Sequence, residues 1–257
     1  MKSPAAVLTA VLPTLLLASC GSTPTVVDHP RPMADIVQLA SGLEHTCARL
    51  LDGDVWCWGD GTRSVPFEDG PRGPVRPTRV EGVSATLDLD VGTHSACAVT
   101  EDREVLCWGL DTHGGLGDGE TGLGQRARRL GTPVIGVREA AEVSVGAYFG
   151  CARTQSGEVY CWGNGELGQL GDGRRRTMRV ATRATVSGVT QIESGHAHTC
   201  AVLADGTVRC WGSFRDDDGR NQGSGGMSDR AYGLGLDLLG SDKTALKVYS
   251  GCCSIAR

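Results

Sequence analysis

The chain has 257 residues, 25 basic against 30 acidic side chains, a formal net charge of −5, 38 glycines and only 12 aromatics. The mildly acidic balance argues against nonspecific nucleic-acid binding, which draws on a basic patch. Many glycines with few aromatics point to tight turns and close backbone approaches, and argue against a long hydrophobic helical core.

In chain order, the first element is a targeting signal over 1–19. Lys2 supplies the positive start, an apolar run over 5–17 is broken only by Thr9, Pro13 and Thr14, and LASC ends at Cys20. The run is short for a membrane span and reads as a secretory signal. LASC resembles the bacterial lipobox, which implies cleavage before Cys20 and acylation of Cys20 as the new terminus; an ordinary signal with a chance cysteine, or an uncleaved anchor, is the competing reading. Several acyl chains on one residue provide the multiple anchors that stable membrane attachment needs. Gly21, where many lipoproteins retained at the inner membrane carry aspartate, directs the expectation to the outer membrane. The expected location is therefore exported and lipid-anchored in a bacterial envelope. Residues 20–33 read as the lipidated terminus and a flexible tether, with three prolines and little to bury.

The folded part is expected over 34–257, and it is a repeat. Cys47 with Cys57, Cys97 with Cys107, Cys151 with Cys161 and Cys200 with Cys210 share one internal spacing, and the pairs start 50, 54 and 49 residues apart. Each second cysteine is followed by tryptophan and glycine, giving Trp58, Trp108, Trp162 and Trp211. A period near 50 belongs to all-β propeller blades more than to helical arrays. The units run approximately over 36–86, 87–140, 141–189 and 190–240, with a partial fifth over 241–257. Within a unit, two β-prone runs flank a glycine-containing turn, the signal of a hairpin.

A three-residue loop such as Ala204, Asp205 and Gly206 sets Cys200 opposite Cys210, and the same count opposes the other three pairs. Directly opposed strand residues have Cβ atoms about 4.5–5.5 Å apart, within reach of a disulfide. An exported chain meets an oxidising compartment, which favours one cross-strand disulfide per blade, contributing roughly 2–3 kcal/mol. Metal ligation competes poorly, since the close C-x-x-C pairs of common zinc sites are missing, and buried free thiols are the other alternative. Strand alternation puts each tryptophan on the face opposite the neighbouring cysteine. There it reads as a blade-to-blade packing residue, with a carbohydrate-stacking platform as the alternative.

The run GHAHTCAVLADGTVRCWG from Gly195, together with WGNGELGQLGDG from Trp162, resembles the regulator of chromosome condensation repeat. The resemblance covers residues 36–212 well and the remainder poorly. It implies an all-β propeller of four-stranded blades, commonly seven, whereas this chain has four recognisable blades plus LKVYSG over 246–251 as a first strand of a fifth. By that count the ring is incomplete. A smaller closed ring, a capped open arc and pairing with another chain all stay open, and uncapped edges carry a hazard of self-association. Cys252 and Cys253 sit at that loose end.

The remaining motifs carry little chemistry. His45 and His198 occupy equivalent positions filled by Ser95 and Phe149 in the other copies, which favours a strand-end hydrogen-bonding role over metal ligation. Asp216, Asp217 and Asp218 precede Gly219, but Phe214 stands where a calcium loop needs its first ligand, and the closing Glu is missing. Arg174, Arg175 and Arg176, and the basic run over 126–129, read as solvated loop charges that can touch phosphate or acidic glycan. No nucleophile motif, phosphate loop or H-E-x-x-H helix occurs, so the sequence assigns no catalytic residue, cofactor or metal. The expected function is a non-catalytic scaffold binding an envelope or extracellular protein or glycan through loops over 60–77, 110–132 and 213–240. The family resemblance offers a second reading, a guanine-nucleotide-exchange-factor-like regulator, and a polysaccharide-active enzyme is the third.

Overall fold

Runs such as TLDLDV and SACAVT alternate side chains between two sheet faces and end at glycine or a short polar turn, so each pairs with the next run in the chain. The computed structural model describes residues 35–43, 45–60, 74–120 and 127–213. The expected signal, Cys20, the tether, the loop beyond 213, Cys252, Cys253 and the partial fifth unit lie outside the described residues.

Blade 1 comprises β1 (Ile36–Ser41), β2 (His45–Leu50), β3 (Val55–Asp60) and β4 (Pro74–Arg79). Blade 2 comprises β5 (Thr86–Val91), β6 (Ser95–Thr100), β7 (Val105–Leu110) and β8 (Ala127–Pro133). Blade 3 has β9 (Ala140–Val145), β10 (Phe149–Thr154), β11 (Val159–Gly163) and β12 (Met178–Arg183); the described part of blade 4 has β13 (Val189–Ser194), β14 (His198–Leu203) and β15 (Val208–Gly212). Strand order follows chain order in every sheet, all antiparallel. The family's four-stranded blade is thus present in three sheets, and no helix among the described residues is long and apolar enough to cross a membrane.

The hairpin register places Cys47 opposite Cys57, Cys97 opposite Cys107, Cys151 opposite Cys161 and Cys200 opposite Cys210. All four pairs are disulfides with Cα atoms 4.1 Å apart. The turn that sets this register needs a left-handed residue, supplied by Gly53, Gly157 and Gly206 at φ near +80° and by Arg103 at φ 63° in blade 2.

The core lies between blades. Because cysteine and tryptophan alternate along the third strand, each blade turns a cysteine face to the next blade and a tryptophan face to the one before. Cys47, Val55 and Cys57 pack with Leu89, Ala98 and Trp108; Cys97, Val99 and Cys107 pack with Val143, Ala152 and Trp162; Cys151, Val159 and Cys161 pack with Ile192, Ala201 and Trp211. Burying these faces is the main driving force that holds separate sheets in one array.

Between blades 1 and 2, Gln38 Nε2 donates to Asp88 and to Leu89 O at 2.8 and 2.9 Å, whereas from blade 2 onward the first strands are joined by side chains accepting main-chain N–H groups. Val143 N–H donates to Asp88 at 2.9 Å and Val145 N–H to Asp90 at 2.6 Å; one blade on, Ile192 N–H donates to Glu142 at 3.3 Å and Ser194 N–H to Ser144 at 2.7 Å. Short acidic and hydroxyl side chains at the third and fifth strand positions thus satisfy donors that no neighbouring strand of the same sheet reaches.

The two end faces differ from the seams. Leu39 of blade 1 is 60% exposed where Leu89, Val143 and Ile192 are at most 3% exposed. Cys200, Val202, Val208 and Cys210 of blade 4 are half-buried, whereas Cys97, Val99, Val105 and Cys107 at the same positions in blade 2 are buried.

Candidate functional site

The order of the sheets puts the turns between first and second strands and the loops between third and fourth strands at one end of every blade. The three variable loops expected from the sequence all leave a third strand, so topology gathers their starting points there. In blades 2, 3 and 4 the chain leaving the third strand is tied to the turn beside it: Leu110 N–H donates to His94 O, Asn164 N–H to Tyr148 O and Ser213 N–H to Ala197 O, at 2.8–2.9 Å. Successive turns also join across seams, with Thr93 N–H donating to Gly146 O and Ala147 N–H to His196 O.

On this end a cluster forms that the sequence reading missed. His94 Nε2 lies 2.9 Å from Tyr148 Oη, and the two rings stack with centroids 4.6 Å apart. His113, exposed on the loop after β7, tilts against the same Tyr148 ring at 5.3 Å. His94 and Tyr148 occupy the same turn position in adjacent blades, and that repeat equivalence was the available signal. Nearby, Gly114 lets the loop lie against Arg179, since a Cβ there would sit 2.8 Å from Arg179 Cγ. Gly119 N–H donates to Arg179 O at 2.9 Å, fixing the loop on the next blade.

The loop between β11 and β12 is equally anchored. Trp211 Nε1 and Thr199 Oγ1 both donate to Gln169 O, at 2.8 and 3.1 Å, while Arg174, Arg175 and Arg176 stand exposed. The loop after β7 repeats the device, with Trp162 Nε1 donating to Gly115 O at 3.0 Å. Trp108, Trp162 and Trp211 are thus buried between blades, two of them also pinning the preceding blade's loop. Trp58, on the end face of blade 1, is half-buried.

His45 corrects one expectation. It is buried, and neither ring nitrogen has a hydrogen-bond partner among the described residues, so it does not play the strand-end hydrogen-bonding role. Burial, then the nearby His94, pushes its pKa down to about 4, so it is a neutral packed ring. The equivalent Phe149 and His198 show the packing role: a Cβ on Gly146 would lie 2.0 Å from Phe149 Cε1, and one on Gly195 would lie 2.3 Å from His198 Cε1. The ring at the strand start covers the turn glycine. Burial, ahead of His196, also lowers the His198 pKa.

Asp90 in the inner ladder is pushed up to about 6 by burial, against the hydrogen bonds from Val145 and Val91. Glu142 is raised by burial against its contacts with Arg153, and Asp111, whose Oδ1 accepts from Leu116 N–H, is raised by burial. These carboxylates hold backbone and loops. Among the described residues no group of three or more His, Cys, Asp or Glu could hold a metal ion. The loop-bearing end therefore offers aromatic stacking, imidazole hydrogen bonding and basic charge to a docked surface.

Comparison with known proteins is consistent with this geometry. The profile of the Regulator of chromosome condensation (RCC1) repeat matches residues 36–64, 140–169 and 189–220, and a second form of it matches 156–202. E3 ubiquitin-protein ligase HERC2 of Homo sapiens is 30% identical over 189 residues, covering 68% of this chain and 4% of that protein. Ultraviolet-B receptor UVR8 of Arabidopsis thaliana is 28% identical over 186 residues, covering 69% of this chain and 41% of the receptor. The chain therefore spans less than half the length of these relatives. The crystal structure of Prp20p from Saccharomyces cerevisiae superposes with a TM-score of 0.64 at 19% identity, covering 75% of this chain and 50% of that one, a likeness of fold.

Proposed function

Because this chain belongs to the regulator of chromosome condensation repeat family, we propose that it is a non-catalytic binding scaffold that docks a protein or glycan partner on its loop-bearing end. The observation that carries the reading is the convergence on that end of the His94, Tyr148 and His113 rings with the exposed Arg174, Arg175 and Arg176. Tyrosine and arginine are among the side chains that dominate recognition surfaces. Fold alone does not name the partner. The sequence signal adds its setting: acylated Cys20 and the tether hold the scaffold at the outer membrane of a bacterial envelope, where the partner is an envelope or extracellular protein or glycan.

The test is retention of a partner from envelope extract by the full chain. Replacing Tyr148, Arg174, Arg175 and Arg176 with alanine should reduce retention at least tenfold while leaving the urea midpoint unchanged. Failure to retain any envelope component refutes the scaffold reading. The mass of the mature protein tests the anchor, which requires a terminus at acylated Cys20. A second reading rests on the likeness to Prp20p, a protein with binding properties to Gsp1p and histones. An exchange-factor-like regulator would accelerate nucleotide release from a GTPase, and a lipidated, exported chain would not meet that partner.

A further inference from the structure

We propose that the cysteine-bearing face of blade 4 is the docking surface for residues 245–251 of this same chain, laid down as the first strand of a fifth blade. The proposal rests on one contact that recurs at all three described seams and on a side-chain ladder that recurs at the seams of blades 2 with 3 and 3 with 4. The first residue of each first strand donates to the preceding hairpin tip: Thr86 N–H to Gly53 O, Ala140 N–H to Arg103 O and Val189 N–H to Gly157 O, at 3.0–3.2 Å. The third strand position then accepts from the fourth position of the next blade, as Asp88 does from Val143 and Glu142 from Ile192. The fifth accepts from the sixth, as Asp90 does from Val145 and Ser144 from Ser194.

Aligning Gly251 with Gly195 places a polar side chain or carbonyl of blade 4 at each of these positions. Ala245 N–H then meets Gly206 O, Ser250 N–H meets Glu193, and Gln191 meets Val248 as its counterpart Gln38 meets Leu89, whose O accepts from Gln38 Nε2 at 2.9 Å. Val248 falls where Leu89, Val143 and Ile192 are buried against the cysteine face of the blade before, so it would cover Cys200 and Val202. Ser250 and Gly251 repeat Ser194 and Gly195. The chain is also long enough: 26, 30 and 25 residues separate a third strand's closing glycine from the next first strand in blades 1 to 3, and 32 separate Gly212 from Ala245. The shallow groove that would receive the strand is lined by Gln191, Glu193, Cys200, Val202 and Val208.

The test uses the full chain with free thiols blocked by iodoacetamide, followed by stepwise reduction with dithiothreitol, second-label alkylation and peptide mass spectrometry. Docking predicts that Cys200–Cys210 is reduced within threefold of the rate of Cys151–Cys161. Val248→Asp should accelerate reduction of Cys200–Cys210 at least tenfold while leaving Cys97–Cys107 and Cys151–Cys161 unchanged, which shows that the array stays folded. Amide hydrogen exchange gives a second readout, with Val248 and Ser250 protected in the unaltered chain. Fast reduction of Cys200–Cys210 that Val248→Asp does not alter overturns the proposal. Protection that falls on dilution overturns it too, by assigning the face to a second copy of the chain.

Discussion

Replacing Trp162 with alanine tests whether the repeated tryptophan is the bolt between blades. The indole is fully buried, a Cβ on Gly117 or Gly150 would lie 2.6–3.1 Å from its ring atoms, and Nε1 donates to Gly115 O at 3.0 Å. Truncating a fully buried tryptophan costs about 3–5 kcal/mol, since the cavity cannot close against strands held by disulfides. Trp162→Phe keeps most of the packing but strands the Gly115 carbonyl, at a cost of about 1–3 kcal/mol. Trp58, half-buried with no preceding blade among the described residues, supplies the control, and Trp58→Ala should cost about 1 kcal/mol, in line with partial burial. Urea unfolding followed by far-ultraviolet circular dichroism reads the midpoints. Loss of one seam should also split the transition, since a repeat array is coupled only through nearest neighbours. If Trp162→Ala and Trp58→Ala shift the midpoint equally, the bolt argument fails. If Trp162→Ala instead leaves stability intact and abolishes glycan binding, the stacking-platform alternative is correct.

Gly53→Ala should destabilise by more than the roughly 1 kcal/mol that a left-handed residue costs, because its Cβ would lie 2.7 Å from Ala85 Cα in the next blade. Arg103→Gly, at the same turn position, should be neutral or slightly stabilising, and a ranking in urea that reverses these two would refute the contact argument. Acid tests the buried His45 and Asp90 together. With its pKa lowered to about 4, His45 binds its proton less well folded than unfolded, so its contribution is lost as pH falls from about 6.5 to 4. Asp90, raised to about 6, holds its proton more tightly when folded, so its contribution grows as pH falls from about 6 to 4. Each amounts to roughly 3 kcal/mol and they oppose, so Asp90→Asn should steepen the loss of stability between pH 7 and 4. An identical pH dependence in the variant and the unaltered chain would show that the Asp90 shift is absent. Finally, replacing Cys151 and Cys161 together by alanine should cost about 2–3 kcal/mol in the same urea assay, the value for a loop of about ten residues. A loss near zero would mean that the hairpin is already closed in the unfolded ensemble.

The hairpins and their disulfides were legible because everything that sets them is local. The two cysteines of each pair lie ten positions apart, a three-residue turn fixes the register, and strand alternation then dictates that Trp162 and Cys161 face opposite ways. The family of the repeat was legible for the same reason, since its glycines and tryptophans recur within one unit. The His94–Tyr148 pair was not, because its members lie 54 residues apart and neither is notable alone. His45 shows the opposite failure: its position suggested a hydrogen bond, yet burial leaves it a neutral ring.

By itself the sequence determined the period, the hairpin register, the four disulfide pairs and which strand residues share a face, all consequences of short-range geometry and a side-chain period of two. Only the tertiary structure decided which blade each face meets and that Asp88, Asp90, Glu142 and Ser144 carry the ladder between first strands. Among the described residues it also brought His113, on the loop after β7, and the turn residues His94 and Tyr148 together at one end. Those facts depend on how one sheet lies against the next, and that is set by burial of surfaces some 50 residues apart, which no local pattern encodes.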